Sequence, residues 1–346
     1  MKKLFNMLPL LLGLSVSLSA ISFSAYAFLN PFYETGEKPA VKTGAEPLKE
    51  FSLSKVFSGF ELIETETEDK KENSVTVSAS PSEAQGKIYE QFISPYSAKL
   101  NYNGIYIKNS TGLSIDIKKE LSSEFNLKLE NTSKPQVLIV HTHATESYMM
   151  EERGFYTAKD KPRNTDNSKN VTKVGEIIAN RLKEGGIGVI HDRTQHDHPA
   201  YNGSYGRAAK TINEYLKKYP SIKIVVDVHR DSIAMTGSDK CKPTVTVDGK
   251  KAAQVMLVMG SQTGTVTNFP NWRQNFRLAL RYQQTMEEMY PGLARAMLFC
   301  SRCYNENLTT GSMILEVGTD SNSFEEACYS AELTGNALVR LLKTLK

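Results

Sequence analysis

From Gln136 to the C-terminus, short apolar runs alternate with segments whose apolar residues recur at helical spacing. No other feature limits the fold as strongly. Val137-Leu-Ile-Val140 has the continuous apolar character of a strand buried on both faces. Val171, Val174, Ile178 and Leu182 then fall on one helical stripe, and Gly185-Gly186 ends it. Ile187 to Ile190 reads as the next strand. A helix marked by Ala208, Ile212, Tyr215 and Tyr219 comes after it and stops at Pro220. Ile224 to Val228 and Val255 to Met259 are two further strands. Trp272 to Tyr290 is a helix stopped by Pro291, Met313 to Val317 a late strand, and Phe324 to Leu345 a closing helix. Strands alternating with helices of this length predict βαβ units. The expected fold class is therefore α/β, with a largely parallel sheet and helices on both faces.

The N-terminal quarter reads differently. Met1-Lys2-Lys3 precedes an uncharged run from Leu4 to Tyr33, long enough to cross a bilayer, where roughly 20 apolar residues suffice. The leading lysines keep that end in the cytoplasm and predict export of the remainder of the chain. Ala25-Tyr26-Ala27 also fits a signal-peptidase site, so a cleaved signal and a retained anchor both remain open. Residues 34–87 read as a linker: Glu61 to Glu72 is dense in Glu, Thr and Lys, and such composition buries too little apolar surface to offset the entropy of ordering. Residues 88–346 then form the working domain.

A net charge of +4 without a long Lys/Arg block gives no case for a nucleic-acid partner. The four cysteines include Cys300-Ser-Arg-Cys303, but a structural zinc site of the paired type needs a second matched pair, which the chain lacks.

The six histidines are placed informatively. His141 and His143 come directly after the run 137–140, His191 after 187–190, and His229 after 224–228. Glu316 lies near the end of the apolar stretch Met313 to Val317. Ligand sites in open α/β sheets form in the crevice at the carboxyl ends of strands. A lone strand-end histidine is commonly only a hydrogen-bonded loop residue. Two histidines one residue apart, with Glu146 three residues after the second, set a metal site level with that reading. A carboxylate within an apolar strand must be paired, metal-bound or protonated, because an unpaired buried charge is costly.

A catalytic zinc keeps three protein ligands and leaves a position for water, whose pKa it lowers. A nearby carboxylate then moves the proton. His141 to Ser147, His229 and Glu316 supply these parts, and imidazole with carboxylate suits Zn2+. Asp231 reads as a partner orienting a ring or Arg230.

Val137 to Tyr148, Asp227-Val-His-Arg-Asp231 and Ile314-Leu-Glu-Val-Gly318 together resemble the stage II sporulation protein P family. So do His191 to Asp197, Ser204-Tyr205, and Asn322 through Glu326. The resemblance runs from about Ser97 to the C-terminus. It implies a zinc N-acetylmuramoyl-L-alanine amidase-like domain behind a membrane segment and linker. The implied activity is cleavage of peptidoglycan, and of stem cross-links, between mother-cell and forespore membranes during engulfment. Its implied partners are peptidoglycan and the stage II sporulation proteins D and M.

Carried onto this chain, the family pattern places metal ligands at His143 and His229, with His141 as the alternative to His143. Glu316 is then the catalytic carboxylate. The amidases' acidic ligand stands at the start of a helix where this chain has Lys169-Asn170-Val171; Glu146 is the available substitute, or an outer partner if both histidines bind. Arg230 and the loop around His196 are expected to hold carboxylates of the stem peptide. Two rival readings use the same residues: a metal-dependent glycan deacetylase or esterase, and a non-catalytic peptidoglycan-binding scaffold.

Overall fold

The computed structural model describes residues 80–130 and 132–346. The expected membrane segment, its Ala-Tyr-Ala site and residues 34–79 of the expected linker lie outside these residues. Among the described residues no helix is long and apolar enough to cross a membrane.

The described residues begin with strands β1 (Ala84–Gln91), β2 (Leu100–Tyr102) and β3 (Ile105–Asn109) and a short helix α1 (Ile117–Ser122). The first four residues of β1 fall inside the stretch read as linker. Next come β4 (Val137–Val140), β5 (Phe155–Thr157), α2 (Val171–Glu184), β6 (Val189–His191), α3 (Ser204–Lys218) and β7 (Ile224–Asp231). The C-terminal part contains β8 (Lys240–Val247), β9 (Lys250–Ala253), β10 (Val255–Gly260), α4 (Trp272–Met289), β11 (Met297–Cys300), β12 (Ser312–Thr319) and α5 (Phe324–Lys343). The strands and helices read from residue 136 onward form, except that the strand read at Ile187–Ile190 is shifted to Val189–His191 and takes in His191 itself. β1, β2, β3, β5, β8, β9 and β11 carry too little periodicity to be read beforehand.

The large sheet has the order β2-β3-β11-β10-β12-β7-β4-β6, and a small one has β5-β1-β8-β9. The large sheet is mixed, which corrects the expectation of a largely parallel one. β12, β7, β4 and β6 run parallel, but β10 is antiparallel to β12, and β2 is antiparallel to β3. The reason lies between β7 and β10. A parallel return needs a crossover of a dozen or more residues, usually helical. Residues 232–254 instead form the β8–β9 hairpin, so β10 re-enters the sheet from the end at which β7 left.

Helices cover both faces, unequally. On one face Val137, Ile139, Ile224 and Val226 join the core with Val174 and Ile178 of α2, Leu278 of α4 and Leu338 of α5. On the other, Leu138, Val140 and Val225 pack against Ile212 of α3. Successive strand residues point to opposite faces, and that alternation decides which side chains reach the site.

Candidate metal centre

β4, β7 and β12 share one direction, so their carboxyl ends meet at one end of the sheet. Register puts Glu316 of β12 beside His229 of β7, and Asp227 beside Val140 of β4. His229 and Asp227 have the same parity as Val225, so they project toward the α3 face. Beyond Val140 the chain leaves the strand in a turn over residues 142–145, closed by Glu146 N donating to His143 O at 3.0 Å. This turn carries His143 and Glu146 over the end of β7.

One ligand atom each of His143, Glu146 and His229 lies within 4.8 Å of the others, and all three residues are buried. His143 Nδ1 is 3.6 Å from Glu146 Oε1, and His229 Nδ1 is 3.5 Å from Glu146 Oε2. Both rings are held from behind. His143 Nε2 is 3.1 Å from Ser204 Oγ, and His229 Nε2 is 2.9 Å from Asp227 Oδ1, an ion-pair contact outside hydrogen-bond geometry. Asp227 is itself fixed by Thr142, whose N and Oγ1 donate to it at 2.8 and 2.6 Å. The donor set fits zinc on this geometry. Outer partners turn both Nδ1 atoms inward, and ligand atoms on a tetrahedron with bonds of about 2.1 Å stand roughly 3.4 Å apart.

The charges are strongly coupled. Burial alone would raise the Glu146 carboxyl, but the Arg230 charge and the contacts with His143 and His229 outweigh it and hold it well below the usual carboxylate range. Burial would likewise lower His229, yet Asp227 and Glu146 on either side keep it well above an ordinary histidine. Glu146 and Asp227, flanking His229, make the cluster attractive to a cation. Glu316 behaves oppositely. Burial, opposed by His229 and Arg295 and aided by Asp231 and Glu146, pushes its carboxyl up to about 8. Its Oε2 is buried and meets no hydrogen-bond partner among the described residues.

Not every residue singled out beforehand is brought to this point. His141 keeps the parity of Val137 and Ile139 and turns toward α2. There its Nδ1 donates to Val228 O at 3.0 Å, and its Nε2 sits 2.9 Å from His191 Nε2. It stands apart from the His143 cluster, and the α2 backbone at Gly175 closes over it.

Arg230 is the next residue after His229 and so points to the opposite face. Its side chain donates to the carbonyls of Ser147, Pro162 and Asp231 and is buried. It braces the loop that carries Glu146. His196 is also internal: Nδ1 donates to His141 O, and Nε2 meets Thr211 Oγ1, both at 3.0 Å. Both residues differ from the substrate-contacting role expected of them. Asp231 does orient an arginine, but Arg295, at 2.9 Å, and not the guanidinium of Arg230.

The acid missing near residue 170 is accounted for in space. Asn170 caps α2 by accepting from Thr172 N at 2.8 Å, and Val171 N donates to Glu146 O at 2.8 Å. Glu146 thus stands at the start of α2 although it is distant in sequence. Sequence reasoning missed the outer wall. Tyr201 stacks on the His143 ring with centroids 4.6 Å apart, Tyr205 meets the same ring edge-on, and Arg163 lies over Tyr201. Only Ser204-Tyr205 carried a signal, as part of a motif. Arg163 sits in an aperiodic loop.

A family model described as Stage II sporulation protein P (SpoIIP) matches residues 48–339. Stage II sporulation protein P of Bacillus subtilis (strain 168) is 30% identical over 204 residues, covering 56% of this chain. The match takes in 47% of that relative, so the chain spans about half the length of the curated protein it matches. Among solved structures, N-acetylmuramoyl-L-alanine amidase AmiC2 of Nostoc punctiforme is similar over 62% of this chain and 98% of its own, at 11% identity and a TM-score of 0.35. The CwlD amidase from Clostridioides difficile, solved in complex with the GerS lipoprotein, covers 61% of this chain and 98% of its own, at 14% identity and a TM-score of 0.36.

Proposed function

The chain belongs to the stage II sporulation protein P family, and from that premise we propose that it is a peptidoglycan hydrolase acting on the amide between the muramoyl lactyl group and L-Ala. The observation that carries the reading is the convergence of His143, Glu146 and His229 beside the unpartnered carboxylate oxygen of Glu316. One reaction uses both features: amide hydrolysis assisted by a metal and a general base.

His143, Glu146 and His229 would hold zinc, which when bound would supply Lewis acidity toward the amide carbonyl and toward water. The chain's own residues do the rest. Asp227 and Ser204 fix the two rings so that their Nδ1 atoms face inward. Glu316 accepts a proton at Oε2 from the attacking water and returns it to the departing amine of L-Ala, which leaves neutral. Its burial favours this exchange, because a carboxyl raised toward neutrality gives up its proton as readily as it takes one.

In this reading residues 1–33 anchor the protein or direct its export, residues 34–87 link that segment to the catalytic domain, and the domain faces the space between mother-cell and forespore membranes. Its partners there are peptidoglycan and the stage II sporulation proteins D and M. The inward-facing Glu146 speaks against the scaffold alternative, because it supplies an acid that the sequence lacks near Asn170.

The deciding experiment measures zinc in the purified full chain and its action on isolated sacculi, with and without chelator. About one zinc per chain, with chelator-sensitive release of stem peptides bearing N-terminal L-Ala, is the expected result. Release of acetate would establish the deacetylase or esterase reading. Folded protein with neither metal nor products would establish the scaffold.

A further inference from the structure

The mouth of the centre carries one guanidinium that the proposed chemistry does not use. The Arg163 side chain is 39% exposed, and its Nη2 is 3.8 Å from Glu146 Oε1. Among the described residues no other lysine or arginine side chain comes within ion-pair distance of Glu146. Its other arm is anchored: Nη1 donates to Asp197 Oδ2 and, at 3.0 Å, to Thr145 Oγ1. Asp197 has a fully buried side chain and also accepts from Thr145 Oγ1 at 2.6 Å. The guanidinium lies 4.7 Å from the ring centroid of Tyr201, which is 51% exposed and itself stacked on His143.

Three restraints therefore hold this arginine in place without saturating it. Nη2 and Nε donate to nothing among the described residues, and Nη2 is too far from Glu146 for a hydrogen bond. A guanidinium with one edge open presents two parallel N–H donors, the arrangement that matches a carboxylate bidentately. Fixing it beforehand reduces the entropy lost on binding. Arg230, the more obvious cation in the sequence, has its donors turned to backbone carbonyls.

We infer that Arg163, backed by Tyr201, is a specificity-determining residue that binds a free carboxylate of the stem peptide close to the scissile amide. The inference rests on the hydrolase reading for the identity of the substrate. Arg163 touches neither the reacting carbonyl nor the departing amine; it holds the peptide on the leaving side of the bond. The centre then favours stems whose second residue carries a free carboxylate over stems in which that group is amidated.

The test uses two soluble muramoyl dipeptides that differ only in whether the carboxyl of the second residue is free or amidated. Wild type should prefer the free acid by about tenfold or more in kcat/KM, the effect of one charge-assisted bidentate contact. Arg163→Gln should lose that preference through KM, with kcat on the amidated substrate and zinc content both retained. Arg163→Lys should recover part of the preference. Equal use of both substrates by wild type, or an equal loss on both in Arg163→Gln, overturns the assignment. Calorimetric binding of the same pair to Glu316→Gln separates the two proposals. An affinity difference that vanishes in Glu316→Gln/Arg163→Gln supports Arg163 even if neither compound is cleaved, whereas no affinity difference sinks it.

Discussion

Glu316 stands directly beside His229 across the β7–β12 pairing, and its buried Oε2 meets no hydrogen-bond partner among the described residues. A carboxylate in that position is costly unless it has work to do. Glu316→Gln keeps the shape and removes the base. Turnover should fall roughly a hundredfold to ten-thousandfold, while metal content and circular dichroism stay at wild-type values. Near-normal activity in the variant would remove Glu316 from the mechanism.

The same carboxyl sets a pH dependence. Burial, aided by Asp231 and Glu146, raises it to about 8, and a cation at the neighbouring ligands would pull it down. A base must be ionised, so kcat rises with pH as Glu316 loses its proton. The acid limb of the pH–kcat profile should lie above the ordinary carboxyl value of 4.5 and below 8. A profile flat from pH 5 upward would contradict this.

Asp227 reaches the centre only through His229. Asp227→Asn should weaken zinc binding about tenfold to a hundredfold, the usual effect of losing a partner that orients a ligand. Competition with a chelator of known affinity measures it. His141→Asn provides the contrast: its side chain faces α2, and its loss should leave zinc affinity unchanged. A large fall in His141→Asn would return that residue to the ligand set.

His141 also explains a glycine. A Cβ at Gly175 would lie 2.5 Å from His141 Cε1 and 2.6 Å from its Nε2. The ring is fully buried and tied at both nitrogens, so it has nowhere to move. Gly175→Ala should cost about 1–3 kcal/mol, read from the urea midpoint at constant slope. An unchanged midpoint would show that α2 and β4 are less tightly packed than this contact implies.

Glu306 offers a prediction independent of metal. It is buried, accepts from Gly260 N at 2.9 Å through Oε2, and leaves Oε1 unpartnered. Burial, with Asp227 adding to it, holds its carboxyl well above 4.5. A group raised in the folded state binds its proton more tightly there than in the unfolded chain. Its contribution is therefore intact below the unfolded value and lost as pH rises toward the folded one. Glu306→Gln removes that loss. The variant should gain on wild type by about 1.4 kcal/mol per pH unit above the unfolded value until the folded carboxyl ionises. Chemical denaturation at pH 4 and pH 7 tests it, and a difference that does not depend on pH refutes it.

Much of the fold and part of the site were written in local pattern. Strands β4, β7, β10 and β12 and helices α2 to α5 are legible because burial imposes a period of two or 3.6 on neighbouring residues, which a single chain displays. His143, His229 and Glu316 were legible for the same reason: each stands at the end of an apolar run, where an α/β sheet opens its crevice. What the sequence could not decide were relations between segments. Whether β10 entered parallel or antiparallel depended on residues 232–254 forming a hairpin instead of a crossover. The turn after Val140 brought His143, and not His141, beside Glu146 and His229, and placed Glu146 at the start of α2, where Asn170 leaves no acid. Arg230 was lost to the far face by the pleat, and Arg163 gained the mouth through a loop with no periodicity at all. Periodicity records which face of its own element a residue occupies; only packing decides which other element that face meets.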